Sequence, residues 1–148
     1  MQNNADRRLI GAYACTLDAK SRLKIPAPFR RLIPDGLFQT LVISKGKERC
    51  LNLYTQDEYE KILNDLANRP PGAERRDIQR FYSIKSKQLK VDGSGRVAIP
   101  PDFLAMIDNV KDVVVLGALS YLEIWKATDF EELSKRAEET YLRSDFER

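Results

Sequence analysis

The strongest constraint on this chain is that it contains the same stretch twice. CTLDAKSRLKIP at 15–26 returns as LKVDGSGRVAIP at 89–100. Asp18 matches Asp92, Arg22 matches Arg96, Ile25 matches Ile99, Pro26 matches Pro100 and Phe29 matches Phe103, all at one offset of 74 residues. Leu17 and Leu23 match Val91 and Val97 conservatively. Further on, CLNLYTQDEYEKIL (50–63) parallels YLEIWKATDFEELS (121–134) at a slightly shorter offset. Two matched segments in the same order read as an internal duplication.

Each half reads alike. A strand (AYACTL or KQLKV) leads through a short loop into a second strand (RLKI or RVAI). Period-two alternation puts Cys15, Leu17, Leu23 and Ile25 on one face, and likewise Leu89, Val91, Val97 and Ile99. Pro26 and Pro100 stand where short helices are expected, because a first-turn proline lacks only an N–H that has no helical partner. A hairpin-like pair follows in each half: TLVIS with CLNLY, and DVVVLG with YLEIW. An amphipathic helix then closes each half, with Thr55 and Glu58, or Thr128 and Glu131, spaced as capping boxes. Tyr59, Ile62, Leu63 and Leu66 make the apolar stripe of the first closing helix; Phe130, Leu133, Ala137 and Tyr141 make that of the second. The first repeat is expected over 12–58, its helix continuing to about 68, and a helical connector over 69–83. The second repeat is expected over 84–128, and a C-terminal helix and tail over 129–148. Halves of about 50 residues bury too little alone, so both should interlock around one core as one compact domain.

Composition narrows the chemistry. The 148 residues contain no histidine, which removes the commonest general base, the usual catalytic triads and most zinc sites. Cys15 and Cys50 form neither a disulfide framework nor a metal spacing and are expected as reduced, buried thiols. No apolar run nears the length that crosses a bilayer, and the opening MQNNADRRLIGAYAC is too polar for a secretory signal. Charge is unevenly spread: residues 1–100 sum to +8 and residues 101–148 to −5. A basic front and an acidic rear suit a surface that meets a polyanion.

The loops DAKSR and DGSGR carry the remaining signal. Each is expected as a tight reversal at a hairpin tip, with Gly93 and Gly95 supplying positive φ in the second. The first loop lacks both glycines and is expected to be more strained or differently shaped. Asp18 and Asp92 would orient Arg22 and Arg96, whose planar forks would read a ligand. Lys20 adds charge in loop one, and Lys24 follows on the outward face of the next strand. Three readings compete: a structural surface ion pair, an enzyme using Asp18 and Asp92 as paired carboxylates, and nucleic-acid binding through major-groove arginines. Binding each Asp to its own Arg spoils it as a catalytic acid. The repetition of the loop with the same Ile-Pro-helix continuation speaks against a mere surface pair.

The strand, loop, G-R-V-A-I-P and short helix resemble the AbrB-type swapped-hairpin DNA-binding domain. Two such units in one chain, each with Asp-x-x-x-Arg, resemble the MraZ family over roughly residues 10–143. The resemblance implies an α+β fold: a double-psi-like, swapped-hairpin β-barrel formed by two internal repeats, with peripheral helices. It implies a non-enzymatic transcriptional regulator of the bacterial division and cell-wall gene cluster, without cofactor or metal. Short direct repeats in double-stranded promoter DNA would be bound through Asp18, Lys20, Arg22, Asp92 and Arg96, with Lys24 added from its charge and facing. Ser21 departs from the D-x-K-G-R form of the family. The resemblance further implies a cytoplasmic, nucleoid-associated ring of octamer or dodecamer size, away from membranes, and a family-level link to the methyltransferase encoded beside it. The alternative is an AbrB-like antitoxin or interaction module that binds DNA together with a partner protein.

Overall fold

The computed structural model describes residues 8–147. Among these residues lie eight strands and five α-helices. The first repeat contributes β1 (Ala12–Thr16), β2 (Arg22–Lys24), α1 (Ala27–Leu32), β3 (Thr40–Lys45), β4 (Cys50–Thr55) and α2 (Gln56–Ala67). A helix α3 (Ala73–Lys85) leads without a loop into β5 (Ser86–Lys90). Then come β6 (Arg96–Ala98), α4 (Pro101–Met106), β7 (Asp112–Gly117), β8 (Leu122–Lys126) and α5 (Ala127–Arg143).

The two repeats exchange strands. β1 pairs with β7 of the other half, and β5 pairs with β3, giving a six-stranded antiparallel sheet in the order β1-β7-β8-β4-β3-β5. β2 pairs with β6 in a separate two-stranded ribbon. The pattern has a pseudo-two-fold axis. In the ribbon Leu23 lies opposite its own repeat partner, Val97. In the sheet Asn52 lies opposite Glu123, 71 residues on and its equivalent in the second repeat. The organisation is the expected α+β, two-repeat, swapped-hairpin one. The strands do not close into one continuous ladder, because the sheet ends at β1 and β5 and the ribbon stands apart.

The hairpins of β3 with β4 and of β7 with β8 form as expected, whereas those at loops one and two survive only as single reversals. Asp18 N–H donates to Arg22 O at 3.1 Å, and Ser21 N–H to Asp18 O at 2.9 Å. Beyond that rung β1 and β2 part to different partners, since each finds a longer apolar ladder in the opposite repeat.

Three layers result. Leu23, Ile25, Val97 and Ile99 point from the ribbon into the core, joined by Phe29 of α1 and Phe103 of α4. They meet Leu41, Ile43, Leu51, Leu53, Val113, Val115, Leu122 and Ile124 from one face of the sheet. All of these are at most 3% exposed, so each contributes most of the roughly 1.5–3 kcal/mol that burying a large aliphatic or aromatic side chain supplies. Val42, Tyr54, Val114 and Trp125 are buried on the sheet's opposite face, where α2, α3 and α5 pack.

The capping boxes do not form. Thr55 caps α2 by position without a side-chain cap bond, and its hydroxyl instead donates to Asp57 Oδ1 at 2.5 Å. β8 hands over directly to α5 at Lys126, so Thr128 falls inside the helix rather than at its cap. Cys15 and Cys50 are free thiols, the first half-buried and the second buried. Burial pushes the Cys50 thiol up to about 12.

Candidate nucleic-acid interface

Both loops are built on one local plan. In each, the turn is closed by a residue in the left-handed region, Ser21 at φ 59° and Gly95 at φ 77°. This is the three-residue reversal in which a type I turn ends on a left-handed residue. Of the two expectations for loop one, a different shape is not found and strain is: Ser21 takes the glycine's left-handed conformation without being glycine. Gly93 is not in the positive-φ region, so one glycine of loop two, not both, serves the turn.

The aspartates organise the turns. Asp18 Oδ1 accepts the backbone N–H groups of Lys20 and Arg22, each at 2.9 Å. Asp92 Oδ1 accepts those of Ser94 and Arg96, also at 2.9 Å. The second carboxylate oxygen holds the arginine: Arg22 Nε donates to Asp18 Oδ2 at 2.7 Å, and Arg96 Nε to Asp92 Oδ2 at 2.9 Å. Both carboxyls are held below their usual range. The backbone N–H of the arginine is the main cause in each, partial desolvation opposes it, and the guanidinium reinforces it. Carboxylates held ionised in this way are unsuited to donate a proton.

Because each arginine is tethered through Nε, no terminal nitrogen is taken up by a hydrogen bond among the described residues, although Arg96 Nη1 is within ion-pair range of Asp18. The terminal nitrogens form the edge a guanidinium uses to reach two acceptors at once. The side chains of Arg22 and Arg96 are about one-third exposed, at 30% and 31%.

The ribbon decides which way they face. Leu23 and Val97 point inward at zero exposure. Their neighbours therefore point outward, and directly opposite residues share a face. Arg22 stands opposite Ala98, and Lys24 opposite Arg96. The structure thus brings Arg22, Lys24 and Arg96 together on one outward face. Arg96 Nη1 lies 3.8 Å from Asp18 Oδ2, which joins the two loops. Each turn is also anchored on the other repeat: Ile25 N–H donates to Gly95 O, and Ile99 N–H to Ser21 O, both at 3.0 Å.

Lys20 is exposed beside loop one, as its sequence position suggests. Lys24 is on the outward face of β2, as expected, and the antiparallel pairing puts it opposite Arg96, at the loop-two end of the ribbon. One residue was missed. Arg30 of α1 lays its guanidinium against Gly95, where an added Cβ would come within 2.9 Å of Cζ. The available signal was a broken match, since the equivalent position in the second repeat is Leu104. Among the described residues, no three His, Cys, Asp or Glu side chains gather as metal ligands would.

A family model described as "MraZ protein, putative antitoxin-like" matches residues 9–81 and 84–148. Curated relatives named "Transcriptional regulator MraZ" match across most of their length. The one from Cutibacterium acnes is 33% identical over 133 residues, covering 89% of this chain and 91% of the relative. One from Thermus thermophilus is 39% identical over 118 residues, covering 78% and 79%. The one from Dictyoglomus turgidum is 35% identical over 136 residues, covering 91% and 89%.

Proposed function

This chain belongs to the MraZ family, and from that premise we propose that it is a non-enzymatic, sequence-specific DNA-binding transcriptional regulator acting on short promoter repeats of the division and cell-wall gene cluster. The observation that carries the reading is the outward face of the ribbon, where Arg22, Lys24 and Arg96 stand together with both arginine forks pre-set by aspartates. A fork tethered at Nε and open at its terminal nitrogens suits bidentate pairing with guanine O6 and N7. Lys20 and Lys24 suit phosphate contact, which positions the protein without reading sequence. Asp18 and Asp92 serve the interface by orienting the two readers.

One ribbon offers few contacts, so a single chain should bind weakly. A homo-oligomeric ring of octamer or dodecamer size would place several ribbons on spaced repeats and raise avidity by about 10²–10⁴. Exposed apolar side chains support self-association: Ile10 and Leu119 lie on neighbouring segments, and Tyr141, Leu142 and Phe146 cluster near the end of α5. The reading implies a cytoplasmic protein associated with the nucleoid. No described helix is long and apolar enough to cross a membrane.

The test is a gel-shift titration of wild type against duplex DNA from upstream of its own gene, beside a scrambled duplex of equal length. Preference for the upstream fragment, with affinity falling steeply as salt rises, is expected. Equal affinity for both fragments, or a flat salt dependence, rejects the reading. The family description also favours a second reading, an antitoxin-like module that binds DNA with a partner. Against it, the acidic C-terminal segment is helical through Arg143, with its first turns against β7 and β8 through half-buried Phe130 and Leu133, rather than an unstructured tail. Co-purification with a small basic toxin would reverse the preference.

A further inference from the structure

We infer that Arg30 is a phosphate-binding residue of this interface, lent by the first repeat to the loop of the second; the inference rests on the DNA reading above. Its guanidinium lies flat on Gly95, since an added Cβ there would be 2.9 Å from Cζ and Nη1 and 3.0 Å from Nε. Its Cζ also lies over the Phe38 ring, 6.0 Å from the ring centroid. Among the described residues its side chain makes no hydrogen bond and no ion pair. A part-buried cation with no carboxylate partner among the described residues, next to the backbone that carries Arg96, awaits an anion. Packing on a glycine and an aromatic ring removes rotamer freedom beforehand, which lowers the entropy lost on binding.

Charge asymmetry points to the same role. Along the pseudo-two-fold, Lys20 corresponds to Ser94, Lys24 to Ala98 and Arg30 to Leu104. Loop two therefore lacks the lysine that loop one carries. The strand exchange compensates, because Lys24 stands opposite Arg96 and Arg30 covers Gly95. The loop-two end thus gathers three cations, two of them from the first repeat. Gly95 acquires a second reason to be glycine: any side chain there would push the guanidinium aside.

The experiment compares wild type, Arg30→Leu and Arg30→Lys, full length, by fluorescence anisotropy. The probe is a labelled duplex from upstream of the gene, titrated at salt concentrations from about 0.05 to 0.2 M. Leucine reproduces the residue at the equivalent position of the second repeat. Arg30→Leu is expected to weaken binding roughly tenfold at about 0.15 M salt and to make the log–log salt slope shallower by about 0.9 per bound chain. Its melting temperature and sedimentation should match wild type, and Arg30→Lys should keep the wild-type slope. A purely structural Arg30 would leave the slope of Arg30→Leu unchanged, and that result overturns the inference. Should Arg30→Leu misfold, Arg30→Gln, which keeps a planar amide over Gly95, is measured to the same criterion. If wild type itself binds without salt dependence, the DNA reading fails first and this inference falls with it.

Discussion

The Arg96 guanidinium of the second repeat reaches to 3.8 Å from the Asp18 carboxylate of the first. The two Asp-x-x-x-Arg loops, 74 residues apart in sequence, are therefore neighbours on one surface. They are held there from below by Leu23 against Val97, and from the sides by the exchanged bonds of Ile25 and Ile99.

Removing either reader should separate binding from folding. Arg22→Ala and Arg96→Ala are each expected to lower affinity for upstream DNA by roughly 10–100-fold, the value of one bidentate base contact. Their melting temperatures should stay close to wild type, because the lost ion pairs lie at the surface, about one-third exposed, where such pairs contribute little. Arg22→Lys should not restore binding, since an ammonium lacks the planar fork. Parallel anisotropy titrations and thermal melts check this; a variant that melts early and binds normally once folded would refute it.

Acid should loosen the loops through Asp18 and Asp92. Both carboxyls sit below their usual range in the folded chain, chiefly because they accept backbone N–H groups. As pH falls, the unfolded chain takes up protons first, near the ordinary aspartate value of about 3.9. The stabilisation is thus complete above that value and is lost as pH drops through the lower folded-state values. Asp18→Asn with Asp92→Asn should be less stable than wild type at neutral pH and show a flatter stability profile below about pH 4. Denaturant midpoints measured across that range decide the point, and parallel profiles for the two proteins would contradict it.

The paired turn positions should respond oppositely to substitution. Ser21 spends backbone energy at φ 59°, so Ser21→Gly is expected to stabilise by about 0.5–1 kcal/mol, after the unfolded-state entropy of glycine is subtracted. Gly95→Ala at φ 77° should destabilise by about 1–2 kcal/mol and displace the Arg30 guanidinium. Urea unfolding of both variants measures the signs, and a stabilising Gly95→Ala is incompatible with this turn.

Neither repeat should fold as a monomer. A fragment of residues 1–71 leaves β1 without β7 and β3 without β5, and exposes Leu23 where Val97 should cover it. It should be unfolded by circular dichroism, or folded only as a dimer that copies the exchange, and should fold on mixing with residues 72–148. In the intact chain Leu23→Ala should cost about 2–5 kcal/mol. A folded monomeric fragment would show that the exchange is dispensable.

The repeat, the inward faces of Leu23, Ile25, Val97 and Ile99, the helices after Pro26 and Pro100 and the pairing of each Asp with its own Arg were all legible in the chain. They depend on residues a few positions apart, and periodicity or turn chemistry reports such neighbours directly. The capping boxes misled for a related reason: their motif was present, but Thr55 found the Asp57 carboxylate and β8 ran straight into α5.

The pairings of β3 with β4 and of β7 with β8 were legible as hairpins, but the partners of the strands flanking the two loops were decided only in the tertiary structure. A period of two tells which face a side chain takes but says nothing about the strand beside it, and here β1, β2, β5 and β6 all find their partners in the opposite repeat. Lys24 consequently stands opposite Arg96 rather than with its own loop, and Arg30 rests on a glycine from the other half. The local pattern determined the two fingers; the strand exchange, favoured because it buries both apolar faces at once, decided that they share a surface and that the two ends of that surface carry unequal charge.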